Sequence, residues 1–228
     1  MAIIRLVATI HGITAMLRID FVSDVNCPWC ALGLAALDKA IARIETDIAV
    51  EVHCQPFELN PHLPASGIKL VDYLQQKYGM SAEQIARTHH TIKARGNELG
   101  FQFAPREFIW NSFNSQRLLY WVGQEYSAVE QLELKRALVR AYQGEGRNIN
   151  DTGVLLDLVT LLPVDKKRAE KILASDEFTA EVRTKQQQWI DAGINAVPSV
   201  IINNRQLVQG AQTPEAYVQI LTELANAD

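Results

Sequence analysis

Two of the chain's three cysteines, Cys27 and Cys30, stand as C-P-W-C within IDFVSDVNCPWCALG, residues 19–33. Thiols at that spacing can share a metal, close a small disulfide, or exchange electrons with other thiols. Zinc needs two further ligands at matching spacing, and the sequence holds no second C-x-x-C and no H-x-x-H pair. His11, His53, His62, His89 and His90 form no zinc pattern; the adjacent His89 and His90 point in different directions on a helix and are expected in solvent. No metal is expected. A disulfide across two residues closes a loop too small to remove much entropy from the unfolded chain, so it is a poor staple. Redox chemistry fits better. At a helix N-terminus, unpaired backbone N–H groups and the helix dipole favour a thiolate at Cys27 and lower its pKa. Such a thiol attacks near neutral pH and is also a good leaving group. Cys30, one turn on, then resolves the mixed disulfide. Cys54, in VEVHCQPFEL, is left over and is expected as a buried, inert thiol.

The elements that must hold this pair are legible around it. LRIDFV (17–22) is apolar and β-prone, SDVN makes a polar bend, and CPWC opens a helix. Leu32, Leu34, Leu37, Ala40, Ile41 and Ile44 recur at helical spacing to about residue 45. Pro28 suits the first helical turn, where its missing N–H would have had no partner. IAVEVHCQPFEL (48–59) alternates like a second strand, which NPHLP ends. A C-x-x-C beside β-α-β is the pattern of a thioredoxin-like redox motif.

From about residue 67 to 175 the pattern is almost wholly helical, with a capping box at Ser81 and Gln84. A helix over 176–193 follows, then strands in NAVPSVIIN and RQLVQG joined by an Asn203-Asn204 turn, then a closing helix with Pro214 near its start. This order predicts an α/β domain of residues 16–64 and 175–228, split by an all-helical insert over 65–174.

Bulk properties remove other classes of function. The chain has 228 residues, 48% of them hydrophobic and 21% charged, enough for a sizeable core. A net charge of −4 gives no electrostatic footprint for nucleic acid or for anionic membranes. No apolar run approaches the roughly 18 residues of a membrane span. Residues 1–15, MAIIRLVATIHGITA, contain Arg5 and an apolar stretch broken by His11 and Gly12. They lack the clean apolar region and cleavage site of a secretory signal, and Met16 stands directly before the first strand. They read as an N-terminal extension, with a cytoplasmic site of action expected ahead of a periplasmic one.

SDVNCPWCALG, QPFELNP, AYQGEGRNI, AVPSVIIN and LVQGAQTPE together resemble the DsbA family of thioredoxin-fold oxidoreductases, in its FrnE-like branch. The resemblance runs from Met16 nearly to the end. It implies a thioredoxin-like fold with a large inserted helical domain and dithiol–disulfide exchange without a cofactor. Its substrates would be protein or small-molecule thiols and disulfides, glutathione among them, and a homodimer is open. By position, Cys27 is the nucleophile, Cys30 the resolving thiol and Pro198 a cis proline, with Pro28, Trp29, Val197 and Pro198 against substrate. Trans is the default for an X-Pro bond, so the cis assignment rests on the resemblance.

Ala31 departs from the aromatic residue often found there in this branch, and no second cysteine pair follows. Asp20 and Asp24 lie near the thiols but off the spacing of the fold's buried acid; Asp24 is expected to satisfy turn amides. Asn111, Asn114, Arg117, Tyr142 and residues 144–148 are candidates for the face opposite the cysteines. Packing is the first expectation for Tyr142 and Trp121, and solvent exposure for Arg117 and Arg147. A second reading is a glutathione-dependent isomerase or transferase, resembling 2-hydroxychromene-2-carboxylate isomerases or kappa-class glutathione transferases. Those relatives typically carry serine at the first cysteine position, so the intact pair favours redox chemistry. A third is a chaperone-like module that uses the apolar groove beside Trp29.

Overall fold

The computed structural model describes residues 15–44 and 48–227, so the extension expected over 1–15 lies outside the described residues except for Ala15. In chain order the elements begin β1 (Ala15–Ser23), α1 (Pro28–Ile41), β2 (Ile48–Pro56), β3 (Ile68–Lys69), α2 (Leu70–Tyr78), α3 (Ala82–Leu99) and β4 (Phe108–Ile109). There follow α4 (Phe113–Glu125), α5 (Ala128–Val139), a π-helical turn (Arg140–Gly144), α6 (Thr152–Val159) and α7 (Lys166–Leu173). The chain closes with α8 (Thr179–Asp191), β5 (Ser199–Ile202), β6 (Gln206–Gln209) and α9 (Pro214–Ala225).

Period-two alternation makes β1 a central strand. Leu17, Ile19 and Phe21 enter one core with α1 and α9, while Val22 enters another with Phe57 and Ile194. The sheet order is β2-β1-β5-β6, with β2 parallel to β1 and the other pairs antiparallel. Asn203 and Asn204 both take positive φ, 50° and 55°, in the β5–β6 turn, as the Asn-Asn pair predicts. This is the thioredoxin-like α/β fold, with a helical insertion between β2 and the closing α8-β5-β6-α9 segment. The Ser81 capping box forms as expected, with Ser81 Oγ accepting from the Gln84 amide and Gln84 Oε1 accepting from the Ser81 amide.

The insert departs from the all-helical expectation in two places. β3 pairs antiparallel with β4, Ile68 opposite Ile109. Gly67 (φ 72°) turns the chain into this ladder so tightly that a Cβ there would lie 2.5 Å from Trp110 Cδ1. Two-residue strands are too short to show a period, which is why the pattern missed them. The helix expected through AYQGEG instead ends at Val139 and widens into the π turn. α8 also begins three residues later than the pattern suggests, after Phe178 at φ 63°.

The insert closes the free edge of β2. An edge strand exposes unpaired backbone groups, and α5 covers this one with a single side chain. Gln131 Oε1 accepts from the Cys54 amide (2.8 Å), while Gln131 Nε2 donates to the Cys54 carbonyl (3.1 Å) and to Leu119 O (3.0 Å). Gly123 on α4 leaves room for it, since a Cβ there would meet Gln131 Nε2 at 2.3 Å. Gln131→Leu strands these buried groups and is expected to cost about 2 kcal/mol, within the usual range for orphaned buried hydrogen-bonding groups. Urea unfolding measures it; a loss under about 0.5 kcal/mol, the level of surface substitutions, would show that the edge does not depend on this amide.

Candidate functional site

Cys27 is the N-cap residue of α1, with extended backbone (φ −84°, ψ 115°) and Pro28 in the first turn behind it. Its carbonyl accepts from the amides of Cys30 (3.1 Å) and Ala31 (3.3 Å). The bend before it, Ser23–Asn26, is buried, so its polar groups need partners inside the protein. The insert supplies most of them. Gln116 Nε2 donates to Ser23 O (3.2 Å) and Phe57 O (2.9 Å), Gln143 Nε2 donates to Val25 O (2.7 Å), and the wholly buried Lys135 reaches Ser23 O at 3.4 Å. Asn26 Nδ2 donates to Trp110 O (2.8 Å). Asp24 accepts from the amides of Asn26 (3.0 Å) and Leu59 (2.8 Å) and from Ser112 Oγ (2.8 Å), so it serves turn amides as expected.

The thiols differ sharply. The Cys27 thiol is held below the ordinary cysteine range, first by the hydrogen bond from Cys30 and then by the amides of Cys30 and Trp29; burial and the charge of Asp24 oppose this. Burial pushes Cys30 well above that range, and the neighbouring Cys27 adds to it. Burial also raises the Asp24 carboxyl, against its hydrogen bonds and the positive charge of Lys135. Cys54 is buried on β2, its thiol pushed up to about 11 by desolvation, as an inert thiol should be.

The Val197–Pro198 peptide is cis, and the Cys27 thiol donates to Val197 O at 3.6 Å. Gly33 lets α1 approach this strand: a Cβ there would lie 2.9 Å from Pro198 Cγ. Asp20 is engaged elsewhere, paired with Arg18 (2.9 Å) and accepting from Gln55 (2.5 Å).

Beside Cys27 opens a cavity of about 400 Å³. Cys27, Pro28, Trp29 and Val197 line it together, whereas Cys30 is buried behind Cys27. Its other walls come from α2, α3 and β4, among them Leu70, Tyr73, Ile85, His89 and Ile109, with Arg106 at β4's approach. The sequence reading placed other insert residues here, and the fold corrects it. Arg117 is neither exposed nor at the cavity; it donates to the carbonyls of Ile172 (2.6 Å), in the last turn of α7, where a helix end leaves carbonyls unpaired, and of Glu177 (2.9 Å) beyond it. Asn114 accepts from Arg117, and Asn111 donates to Leu63 O. Tyr142 and Trp121 are core residues, as packing predicted, and Arg147 pairs with Asp157. His89, expected in solvent, is a half-buried cavity residue, while His90 is exposed. Adjacent histidines on a helix do face apart, but no local signal told which one faces inward.

A C-x-x-C at a helix N-terminus, facing a cis-proline strand across a four-stranded sheet, defines a thioredoxin-fold dithiol site. A family model described as DSBA-like thioredoxin domain matches residues 18–222, and the chain belongs to this family, whose fold is that of oxidoreductase enzymes. A probable DsbA oxidoreductase from Streptomyces coelicolor is similar to it with a TM-score of 0.84, at 27% identity and covering 93% of this chain and 91% of that one. A 2-hydroxychromene-2-carboxylate isomerase has a TM-score of 0.68 at 13% identity (92% of this chain, 95% of that one). The cytosolic disulfide reductase DsbM from Pseudomonas aeruginosa, in a structure with glutathione, has 0.62 at 15% identity (92% and 99%). The uncharacterized protein YwbO of Bacillus subtilis is 23% identical over 212 residues, 90% of this chain and 96% of YwbO. The likenesses to the isomerase and to DsbM speak for the fold alone.

The electrostatics carry a signed prediction. Alkylation of Cys27 by iodoacetamide persists below the ordinary thiol range and is lost as pH falls through the lowered pKa. In Asp24→Asn the opposing charge is gone, so the midpoint of the pH–rate profile moves lower still. Stability drops as well, because an amide N–H then faces a backbone N–H that the carboxylate accepted. A midpoint that moves upward would show that Asp24 does not act on Cys27 through its charge.

Proposed function

We propose that the protein is a dithiol–disulfide oxidoreductase in which Cys27 attacks and Cys30 resolves. The observation that carries this is the geometry of the pair: Cys27 at the N-cap of α1, against Val197 O and lining a cavity, with Cys30 buried behind it; the lowered Cys27 and raised Cys30 thiols agree with it. The Cys27 thiolate attacks a substrate disulfide, one substrate thiolate leaves, and a mixed disulfide forms. Cys30 loses its proton, with the buried Asp24 the nearest acid of raised pKa to receive it, and attacks the Cys27 sulfur. The second substrate thiolate leaves, and Cys27 and Cys30 end as a disulfide. Run backwards, the same steps oxidise a dithiol. The Val197 carbonyl, paired with the Cys27 thiol in the free protein, is freed when that sulfur is bonded and accepts an N–H from an extended substrate.

Protein and small-molecule thiols or disulfides, glutathione included, are the substrate class in this reading. The cytoplasm, the compartment named for DsbM, is the proposed site of action. The thiols and Pro198 belong to a thioredoxin-like unit of residues 16–64 and 175–228, and most of the cavity wall belongs to an insert of residues 65–174. The isomerase reading shares the fold, so residues decide between them: both cysteines of a dithiol couple are present, which favours redox chemistry.

Insulin reduction and refolding of scrambled ribonuclease test the reading. Cys27→Ser brings both to the uncatalysed background, whereas Cys30→Ser accumulates a Cys27–substrate mixed disulfide visible by mass spectrometry. Undiminished turnover in Cys27→Ser would sink the mechanism. Equilibration of the Cys27–Cys30 couple against a glutathione buffer assigns the direction: an oxidising couple donates disulfides and a reducing one removes them.

A further inference from the structure

The cavity beside Cys27 is far from neutral in its choice of lining. Leu70, Leu74, Ile85, Ile92 and Ile109 make it predominantly apolar, and its wall includes no aspartate or glutamate. Its fixed charge is Arg106, half-buried, with the guanidinium 5.3 Å from the centre of the Tyr142 ring. Arg106 forms no ion pair among the described residues, unlike Arg136, Arg168 or Arg183. Lys93 and His89 stand beside it around an adjoining hollow that again holds no acid. Burial first, and then the charges of Arg106 and Lys93, act against protonation of His89.

A cation facing an apolar cavity without a counter-charge is half of an ion pair. About 400 Å³ falls within the usual range of small-molecule sites. Glutathione suits the lining poorly, because it brings two carboxylates and an ammonium where the walls offer one cation and no acid. Each polar group buried there without a partner costs about 1–3 kcal/mol. A ligand with an apolar body and one carboxylate matches the apolar side chains of the lining and its one arginine.

We propose that this cavity selects small disulfides and thiols in which a bulky apolar body, aryl or branched alkyl, links the sulfur at Cys27 to a single carboxylate at Arg106. The chemistry at sulfur rests on the dithiol reading; the binding does not. For a disulfide R–S–S–R, the Cys27 thiolate forms a bond to one sulfur as the S–S bond breaks and R–S⁻ departs. Cys30, deprotonated, then displaces the second R–S⁻. The protein dithiol gives up two electrons to the disulfide, its two protons pass to solvent, and Cys27 and Cys30 end as a disulfide.

Two arms separate binding from redox. In the first, full-length Cys27→Ser/Cys30→Ser protein is titrated calorimetrically with phenylbutanoate and with the isosteric phenylbutanamide. The acid binds at least about 10-fold tighter, equivalent to about 1.4 kcal/mol. Arg106→Gln erases that preference and Arg106→Lys restores it. Leu74→Asp, which places a carboxylate in the wall that α2 contributes, weakens the acid more than the amide. Equal affinities for acid and amide, a preference that survives Arg106→Gln, or no measurable binding of either overturns the assignment. In the second arm, reduced wild-type protein reacts in single turnover with dithiobis(nitrobenzoate), which carries a carboxylate on each ring, and with neutral dithiodipyridine. Arg106→Gln slows the first by about 10-fold or more and the second by less than about 2-fold, as expected for a lost substrate contact. Equal slowing of both overturns the role of Arg106 as a substrate contact. Absence of any Cys27-dependent turnover alongside a positive first arm removes the dithiol reading and leaves the ligand class standing.

Discussion

The bend Ser23–Asn26 is the constraint on which the rest depends. To open α1 at Cys27 the chain must leave the sheet at the end of the central strand, and the residues that do so lose their strand partners while staying buried. Each orphaned group would cost about 1–3 kcal/mol. The insert meets this cost with side chains: Gln116 and Lys135 at Ser23 O, Gln143 at Val25 O, Ser112 at Asp24. Polar residues this deeply buried on helices look misplaced until their partners are seen to be the backbone of the bend. The insert is therefore part of the foundation under the cysteine pair, and the same helices that hold the bend also close the β2 edge through Gln131.

Burial acts oppositely on the two thiols because their donors differ. Cys27 lies where α1 leaves amides unpaired, and it also takes the Cys30 hydrogen bond, so donors outweigh desolvation. Cys30 lies one turn inside the helix, where burial dominates and Cys27 adds to it, and the charge of Lys135 and a backbone hydrogen bond at Asp24 offset this only in part. Asp24, Cys27 and Cys30 are three potential anions over one buried cation, Lys135, which favours the charged forms of Asp24 and Cys30 alike. One positive charge cannot neutralise three negative ones. A proton that leaves one member therefore raises the cost of ionising the others, and the site titrates as a unit.

What the sequence disclosed was local. The β-α-β order, Pro28 in the first turn, the Ser81–Gln84 box and the Asn203-Asn204 turn are each signalled within a few residues, and all formed. The Cys27–Val197 contact spans 170 positions and was reachable only through the resemblance of AVPSVII to a known strand. The π turn in AYQGEG kept a helical pattern and so hid its extra residue. Arg117 read as solvated because arginine on a helix usually is; its partners, carbonyls in the last turn of α7 and beyond it, lie more than fifty residues away. His89 and Arg106 were missed for the same reason. A pocket wall is a property of packing between α2, α3 and β4, and no spacing within one of them encodes it.

That packing also fixes the position of the cavity wall. Ile92 on α3 lines the cavity and at the same time enters the sheet core with Leu17 and Phe21. Arg95, one turn along the same helix, lies 5.4 Å from the centre of the Trp29 ring. α3 is thus anchored to both the sheet and the first turn of α1, so the wall opposite Cys27 holds its place without any contact to the sulfur itself. Changes at Leu74, Ile85 or Arg106 alter what fits while leaving the donors around Cys27 untouched. The surroundings of Cys27 are set by α1 and the bend, and most of the cavity wall by α2, α3 and the approach to β4, with Cys27, Pro28 and Trp29 lining the cavity between them.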